Sequence, residues 1–299
     1  MMAAVNELKV QGEIRYNEPM SRHTSWRVGG PAETFFVPAS IDDLAMFLAE
    51  LDTNVPLFWH GVGSNLLVRD DGLPGVVISA TKMLRHMDRI DDLRVRAGAG
   101  VPCTQLARQC IRWQLGPSEF FAGIPGTVGG ALAMNAGAHG GETWERVESV
   151  RTIDRTGELH DRTPDDYDVA YRSVTGPRNE WFVEATFVFD PDVTPSMEEM
   201  KAMLERRRST QPLGLPSCGS VFRNPPGDFS ARLIEEAGLK GHRIGGAEVS
   251  TKHANFIINR DDASASDIEE LIEHVRKTVL EVHGVRLQHE VRIVGEARA

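Results

Sequence analysis

Apolar residues recur at helical spacing in several stretches of the chain. In 40–51, Leu44, Phe47, Leu48 and Leu51 fall on one helix face, and Ser40 with Asp43 forms a capping pattern at its start. The stretch 102–115 opens on Pro102 and stops at Gly116-Pro117, as helices do. A helix over 197–208 ends in the basic triplet Arg206, Arg207 and Arg208. The clearest helix carries Ile268, Leu271, Ile272, Val275 and Val279 on one face, with a Ser266/Glu269 capping box and Gly284 as its stop. Shorter apolar runs predict strands at 56–60, 75–79, 93–97, 181–189 and 285–294. A hairpin is expected from 147–154 and 158–161 across Arg155-Thr156-Gly157. Mixed helices and strands in this order predict an α+β protein, with a linker at 190–195 before its last lobe.

At 299 residues the chain is long enough for two or three domains, and 41% hydrophobic with 25% charged residues is an ordinary globular balance. The 33 basic and 43 acidic residues give a formal charge of -10, which lacks the footprint of a nucleic-acid binder. No apolar run approaches the roughly 20 residues of a membrane helix, and no secretory leader is evident, so a cytoplasmic protein with no obligate protein partner is expected. Cys103, Cys110 and Cys218 are odd in number and unpaired in spacing, which excludes a disulfide framework and a zinc site; no metal is expected. The first two suit helix packing. Cys218 could be a catalytic thiol, but no partnered histidine accompanies it.

Two glycine-rich stretches stand apart from the regular elements: GVGSNLLV at 61–68, and FFAGIPGTVGGALAMNAGAHGG at 120–141. Glycines let backbone N–H groups approach phosphate oxygens, and a short helix over 127–134 would add its positive dipole end. Neither stretch is a Walker A loop or a dinucleotide G-x-G-x-x-G, and close packing of strands and helices is the alternative use of the same glycines. Elsewhere, SCGSVFRNP places Ser220 after a flexible glycine, AYRS carries Arg172, and LQHEVRIVG carries Glu290. A hydroxyl, a planar cation and a carboxylate together suggest chemistry on a carboxylate-bearing substrate, although each alone suits a turn or a solvated strand.

TSWRVGGPA, GVGSNLLV, AGIPGTVGGALAMNAGA, AYRS, SCGSVFRNP and HEVRIVG, in this order over nearly the whole chain, resemble the UDP-N-acetylenolpyruvoylglucosamine reductase family. The resemblance implies a flavin fold of the vanillyl-alcohol oxidase type. Its two α+β FAD-binding lobes would be 1–80 with 286–299, and 81–195, followed by an α+β substrate domain at 196–285. FAD and NADPH are the implied cofactors, and a UDP-sugar the implied substrate in peptidoglycan precursor synthesis. The FAD pyrophosphate would lie on Gly61, Gly63, Ser64, Asn65 and Leu66, and on Gly123, Pro125, Gly126, Thr127, Gly129 and Gly130, with Asn135, Ala136 and Gly137 continuing that loop.

In the family reaction NADPH reduces FAD, and the flavin then delivers hydride to the terminal carbon of an enolpyruvyl ether. The resemblance makes Ser220 the donor of the α-carbon proton, with Arg172 and Glu290 at the enolic carboxylate. Arg208, Arg223 and Lys240 are the candidates for the nucleotide diphosphate, with Asn224, His253 and Asn255 as further substrate contacts. Only Tyr16, Tyr167 and Tyr171 occur, none in the third domain, so the chain resembles the shorter second subclass, which lacks the insertion bearing a substrate-closing tyrosine. A flavin oxidase of the same fold and a non-catalytic flavin or sugar-nucleotide binder are the competing readings.

Overall fold

The computed structural model describes residues 9–296. The chain begins β1 (Glu13–Pro19), β2 (Pro31–Val37), α1 (Ile41–Glu50), β3 (Leu57–Trp59), β4 (Leu66–Val68), β5 (Leu73–Ile78), β6 (Met87–Arg89) and β7 (Arg94–Gly98). It continues with α2 (Cys103–Arg112), α3 (Val128–Met134), β8 (Gly137–Ala138), β9 (Gly141–Glu142), β10 (Val147–Asp154), β11 (Leu159–Arg162), β12 (Asp168–Ala170), β13 (Ser173–Thr175) and β14 (Glu180–Val188). It closes with α4 (Met197–Thr210), α5 (Ser230–Glu236), β15 (Arg243–Ile244), β16 (Ala247–Val249), β17 (Ile257–Asn259), α6 (Ala265–His283) and β18 (Arg292–Val294). These elements form two compact units: 9–15, Thr34–Gly61 and Gly75–Arg206 in the first, and Tyr16–Glu33, Val62–Pro74 and 207–296 in the second.

One sheet has the order β1-β2-β5-β3, and the first unit holds a larger one of order β11-β10-β14-β7-β6. Helix α1 forms as its pattern predicts. Ser40 Oγ accepts the amide of Asp43 at 3.1 Å, and Leu44, Phe47 and Leu48 are buried. The Asp43 carboxylate is 3% exposed and holds the chain entering β1, accepting the amides of Gln11 at 2.7 Å and Gly12 at 2.9 Å as well as that of Ala39 at 2.9 Å. Helix α2 buries Cys103, Leu106, Ala107, Cys110 and Ile111 in a core shared with Phe121, Ala185 and Phe187. Burial pushes the Cys103 thiol up to about 12 and raises that of Cys110 as well, so both are packing residues. The expected hairpin is present as β10 and β11, with Gly157 at φ +86 in its turn.

In the second unit α6 lays its row Ile268, Leu271, Ile272, Val275 and Val279, each at most 1% exposed, into a core with Leu233, Ile234, Val249 and Ile257. The sheet β15-β16-β17 supplies part of that core, and Trp26 joins it, its indole N–H donating to Ile257 O at 2.7 Å. Strand β4 pairs in parallel with β18, Leu66 opposite Arg292, so the glycine stretch and the C-terminal segment share one ladder.

Several expectations are corrected. The cap of α6 is Ser264 with Asp267, two residues before the expected box. Ser266 is engaged instead by Asp70, which accepts its amide at 3.0 Å and its hydroxyl at 2.7 Å, and Glu269 forms a two-point pair with Arg69 at 2.7 and 2.9 Å. The closing strand over 285–294 shrinks to β18, because residues before it bond to the Val221 loop in isolated contacts rather than a ladder. Tyr16–Glu33 and Val62–Pro74 pack with the C-terminal segment in the second unit. Residues 1–8 and 297–299 of the expected first lobe lie outside the described residues. Among the described residues no helix is long and apolar enough to cross a membrane.

Replacing Asp43 with alanine removes the acceptor of three backbone amides in one step. Asp43→Ala is expected to lower unfolding stability by about 3 kcal/mol in urea titration; a loss below about 1 kcal/mol would show that the carboxylate is not what fixes this end of the sheet.

Candidate active site

Ser220 sits half-buried in an irregular stretch of the second unit, preceded by Gly219 at φ +74 and followed by Val221 and Phe222, 0% and 1% exposed. The two buried residues fix the serine by their backbones. Val221 O accepts the amides of Glu290 at 2.8 Å and Val291 at 3.3 Å, and Val221 N donates to Asn255 O at 2.9 Å. Phe222 is bracketed by the Asn255 side chain, whose Oδ1 accepts its amide at 3.0 Å and whose Nδ2 donates to its carbonyl at 2.8 Å. One residue further, Arg223 N donates to Gln288 O at 2.9 Å. Ser220 and Glu290 are therefore carried on one peptide frame.

The glycine stretch joins that frame from its other side. Asn65 Nδ2 donates to Glu290 O at 2.9 Å and Asn65 O accepts Arg292 N at 3.0 Å, so the Glu290 peptide is held at both its N–H and its carbonyl. The Cys218 thiol contacts Gly63 O and Leu66 O, each at 3.5 Å, and burial pushes it up to about 12. A thiol so buried is no nucleophile at neutral pH; it ties the serine stretch to the glycine stretch. Gly63, at φ +64, admits no side chain, since a Cβ would lie 2.1 Å from His23 O.

The remaining candidates in this unit serve the frame or stand around it. Asn255, expected on the substrate, is 3% exposed with both ends of its amide on Phe222, which makes it a support for the serine stretch. Asn224 is exposed, and its Oδ1 accepts Ser230 N at the start of α5 at 3.1 Å. Lys240 pairs with Glu235 at 2.6 Å, and Arg208 O accepts the Lys252 ammonium at 2.5 Å. Arg223 is half-buried.

In the first unit Gly61 lies near the second glycine stretch. A Cβ at Gly61 would have only Thr127 Oγ1, at 3.8 Å, within 4 Å, and one at Gly130 only the same oxygen at 4.0 Å, so both glycines open onto space beside one hydroxyl. Gly123 and Gly129 are different. Their Cβ atoms would lie 2.5 Å from Ala138 Cβ and 2.9 Å from Ala99 Cβ, so these glycines serve close packing. The dipole end expected of α3 is likewise spent inside the protein, since Val128 N donates to Val101 O at 2.9 Å and Gly129 N to Ala99 O at 2.8 Å. Asn135 and Ala136 close the helix by bonding back to Leu132 and Ala131.

Arg172 occupies the turn between β12 and β13 at φ +55. Its guanidinium, 16% exposed, donates to Asn135 O at 3.2 Å and Gly137 O at 2.8 Å, and lies 4.9 Å from the Tyr171 ring centroid. The stretch Asn135–Gly137, expected to extend the phosphate loop, thus carries the arginine. Sequence reasoning passed over Glu142, whose Oε1 lies 3.8 Å from Arg172 Nη1; a single carboxylate after a glycine run has no spacing to reveal it.

Comparison with known proteins matches two families to the chain. Residues 32–162 match the family described as FAD binding domain, and 211–294 match that described as UDP-N-acetylenolpyruvoylglucosamine reductase, C-terminal domain. The protein named UDP-N-acetylenolpyruvoylglucosamine reductase from Alkalilimnicola ehrlichii is 57% identical over the whole of both chains. The one so named from Methylococcus capsulatus is 56% identical over 95% of this chain and 93% of its own. The crystal structure of UDP-N-acetylenolpyruvylglucosamine reductase from Thermus caldophilus, 31% identical, superposes over 95% of this chain and 99% of its own with a TM-score of 0.79.

Three imidazoles of the second unit have lowered pKa values, burial being the largest cause in each: His253, where Lys240 adds to it, His274, where His242 does, and His289, where Arg276 does. The folded unit favours their neutral forms, so it binds fewer protons than the unfolded chain below the ordinary value of 6.5. The stabilisation is present above that value and is lost as pH falls. Thermal unfolding is expected to show a midpoint that drops between about pH 7.5 and 5.5, and a smaller drop in the double variant His253→Gln/His289→Gln; an equal or larger drop in the variant would contradict the assignment.

Proposed function

The chain belongs to the UDP-N-acetylenolpyruvoylglucosamine reductase family, and we propose that it reduces the enolpyruvyl ether of UDP-N-acetylglucosamine to UDP-N-acetylmuramate, with NADPH as the electron source, in the cytoplasm. The observation that carries this reading is the double acceptance at Val221 O, which puts a hydroxyl and a carboxylate on one rigid frame. The match to the FAD binding domain family covers the stretch where Gly61 and Gly130 open beside Thr127. A Cβ at either glycine would fill that cradle, so the residues present fit a flavin pyrophosphate there. Gly61, Gly63, Ser64, Asn65 and Leu66 would hold FAD with Pro125, Gly126, Thr127 and Gly130, while Gly123 and Gly129 shape the turn by packing. When bound, FAD supplies the two-electron exchange between the nicotinamide donor and the substrate's double bond. The flavin-binding part is assigned to 1–195 with 286–299, in two lobes divided near residue 80, and the substrate domain to 196–285.

The chain's own residues then have distinct tasks. Ser220 gives its hydroxyl proton to the substrate's α-carbon. A serine hydroxyl is a weak acid, so its effectiveness comes from being held at short range by Val221 and Phe222 rather than from a lowered pKa. Arg172 takes the substrate carboxylate with its planar fork and stabilises the negative charge that grows there as the double bond is reduced. Glu290 stands at the same carboxylate, its peptide fixed by Asn65 and Val221. Arg223, Lys240 and Arg208, with Asn224 and His253, meet the uridine diphosphate, and Asn255 acts through the serine stretch. The Asn135–Gly137 stretch presents Arg172.

Ser220→Ala is expected to leave flavin reduction by NADPH within about twofold of wild type and to slow reoxidation by the enolpyruvyl sugar nucleotide at least about 10²-fold, measured anaerobically by stopped-flow absorbance. Equal loss in both half-reactions would contradict the proton-donor role, and a purified protein without flavin absorbance would overturn the function itself.

A further inference from the structure

Arg172 is held in a backbone conformation that a branched or long side chain rarely adopts, on a turn of two residues between β12 and β13. Its guanidinium therefore needs external support to keep one direction. Two carbonyls supply part of it, Asn135 O and Gly137 O. The carbonyl of Asn135 is itself positioned, because that residue lies at φ +44 with its side chain locked on three sides. Nδ2 donates to Glu142 Oε2 at 2.7 Å and to Ala170 O at 3.2 Å, and Oδ1 accepts Trp144 N at 3.2 Å. Asn135 is 2% exposed, so these bonds are sheltered from competition by water.

Glu142 is the charged member of this arrangement. One carboxylate oxygen grips the Asn135 amide and the other lies 3.8 Å from Arg172 Nη1. Strands β8 and β9 set Glu142 opposite Gly137, and Gly137 must lack a side chain, since a Cβ would lie 2.4 Å from Gly141 O, with Glu142 Cγ at 3.1 Å and Arg172 Nη1 at 3.2 Å crowded beside it. The hairpin, the glycine and the asparagine together bring one carboxylate to one face of the arginine.

We propose that Glu142, working with Asn135, is a positioning residue for Arg172: it fixes the direction of the guanidinium, so that the fork meets the charge formed during reduction without first having to reorient. This role rests on Arg172 receiving the substrate's carboxylate. Removing the side chain loosens both the asparagine and the arginine, whereas glutamine keeps an oxygen for the Asn135 amide.

The test is a double-mutant cycle on the rate constant for reoxidation of the reduced enzyme by enolpyruvyl-UDP-N-acetylglucosamine. Glu142→Ala is expected to be about 10-fold slower than wild type and Glu142→Gln within about threefold, with NADPH-driven flavin reduction close to wild type in both. Because Glu142 acts through the arginine, Glu142→Ala/Arg172→Ala is expected to be no slower than Arg172→Ala alone. Effects that multiply, a wild-type rate in Glu142→Ala, or equal losses in both half-reactions would overturn the role of Glu142. A wild-type rate in Arg172→Ala would instead overturn the carboxylate-binding assignment beneath it. Where the alanine variant does not retain flavin, Glu142→Leu, which also removes the oxygen that accepts from the Asn135 amide, takes its place in the same cycle with Arg172→Ala and is read in the same way.

Discussion

The carbonyl of Val221 accepts two amides, those of Glu290 and Val291, and the candidate chemistry in the second unit depends on that arrangement. The acceptor belongs to a fully buried residue, where an unmade hydrogen bond would cost on the order of 1–3 kcal/mol. Asn255 completes the frame by imitating a neighbouring strand, giving Phe222 one acceptor and one donor from a single side chain. Ser220 is then directed by its neighbours rather than by bonds of its own, and Glu290 by a peptide gripped at both ends. Side chains that act by position need this kind of support, since displacement of about 1 Å costs as much as the loss of a strong contact.

The glycines divide by what surrounds them. Gly63 and Gly129 sit against backbone or side-chain atoms that leave no room for a Cβ, so they permit the chain to pass. Gly61 and Gly130 face open space beside Thr127, and their missing side chains make room for something else. Composition alone treats all of them alike. Only the neighbours separate a glycine that serves folding from one that admits a ligand.

That distinction explains what could be read from the sequence. Periodicity located α1 and the buried row of α6, and the turn chemistry of Arg155-Thr156-Gly157 located its hairpin, because these signals are local. The α6 cap was misplaced by two residues because Asp70, distant in sequence, engages Ser266. Strands β1 and β2 were not foreseen, as EIRYNEP alternates weakly and PAETFFV reads as part of a motif. In the candidate site, the resemblance supplied Ser220, Arg172 and Glu290 as residues, while their supports were hidden. Asn255, Asn135 and Glu142 act through backbone groups of residues elsewhere in the chain, and polar side chains of that kind carry no pattern.

The central claim is that Ser220 and Glu290 share one hydrogen-bonded frame, and amide hydrogen exchange reads that frame directly. In the wild-type protein the amides of Val221, Phe222, Glu290 and Val291 are expected to exchange slowly. Asn255→Ala is expected to speed the exchange of Glu290 and Val291 as well, although neither amide bonds to Asn255, because loosening Phe222 loosens the acceptor at Val221. Acceleration confined to Val221 and Phe222, with Glu290 and Val291 unchanged, would show two independent segments and contradict the account.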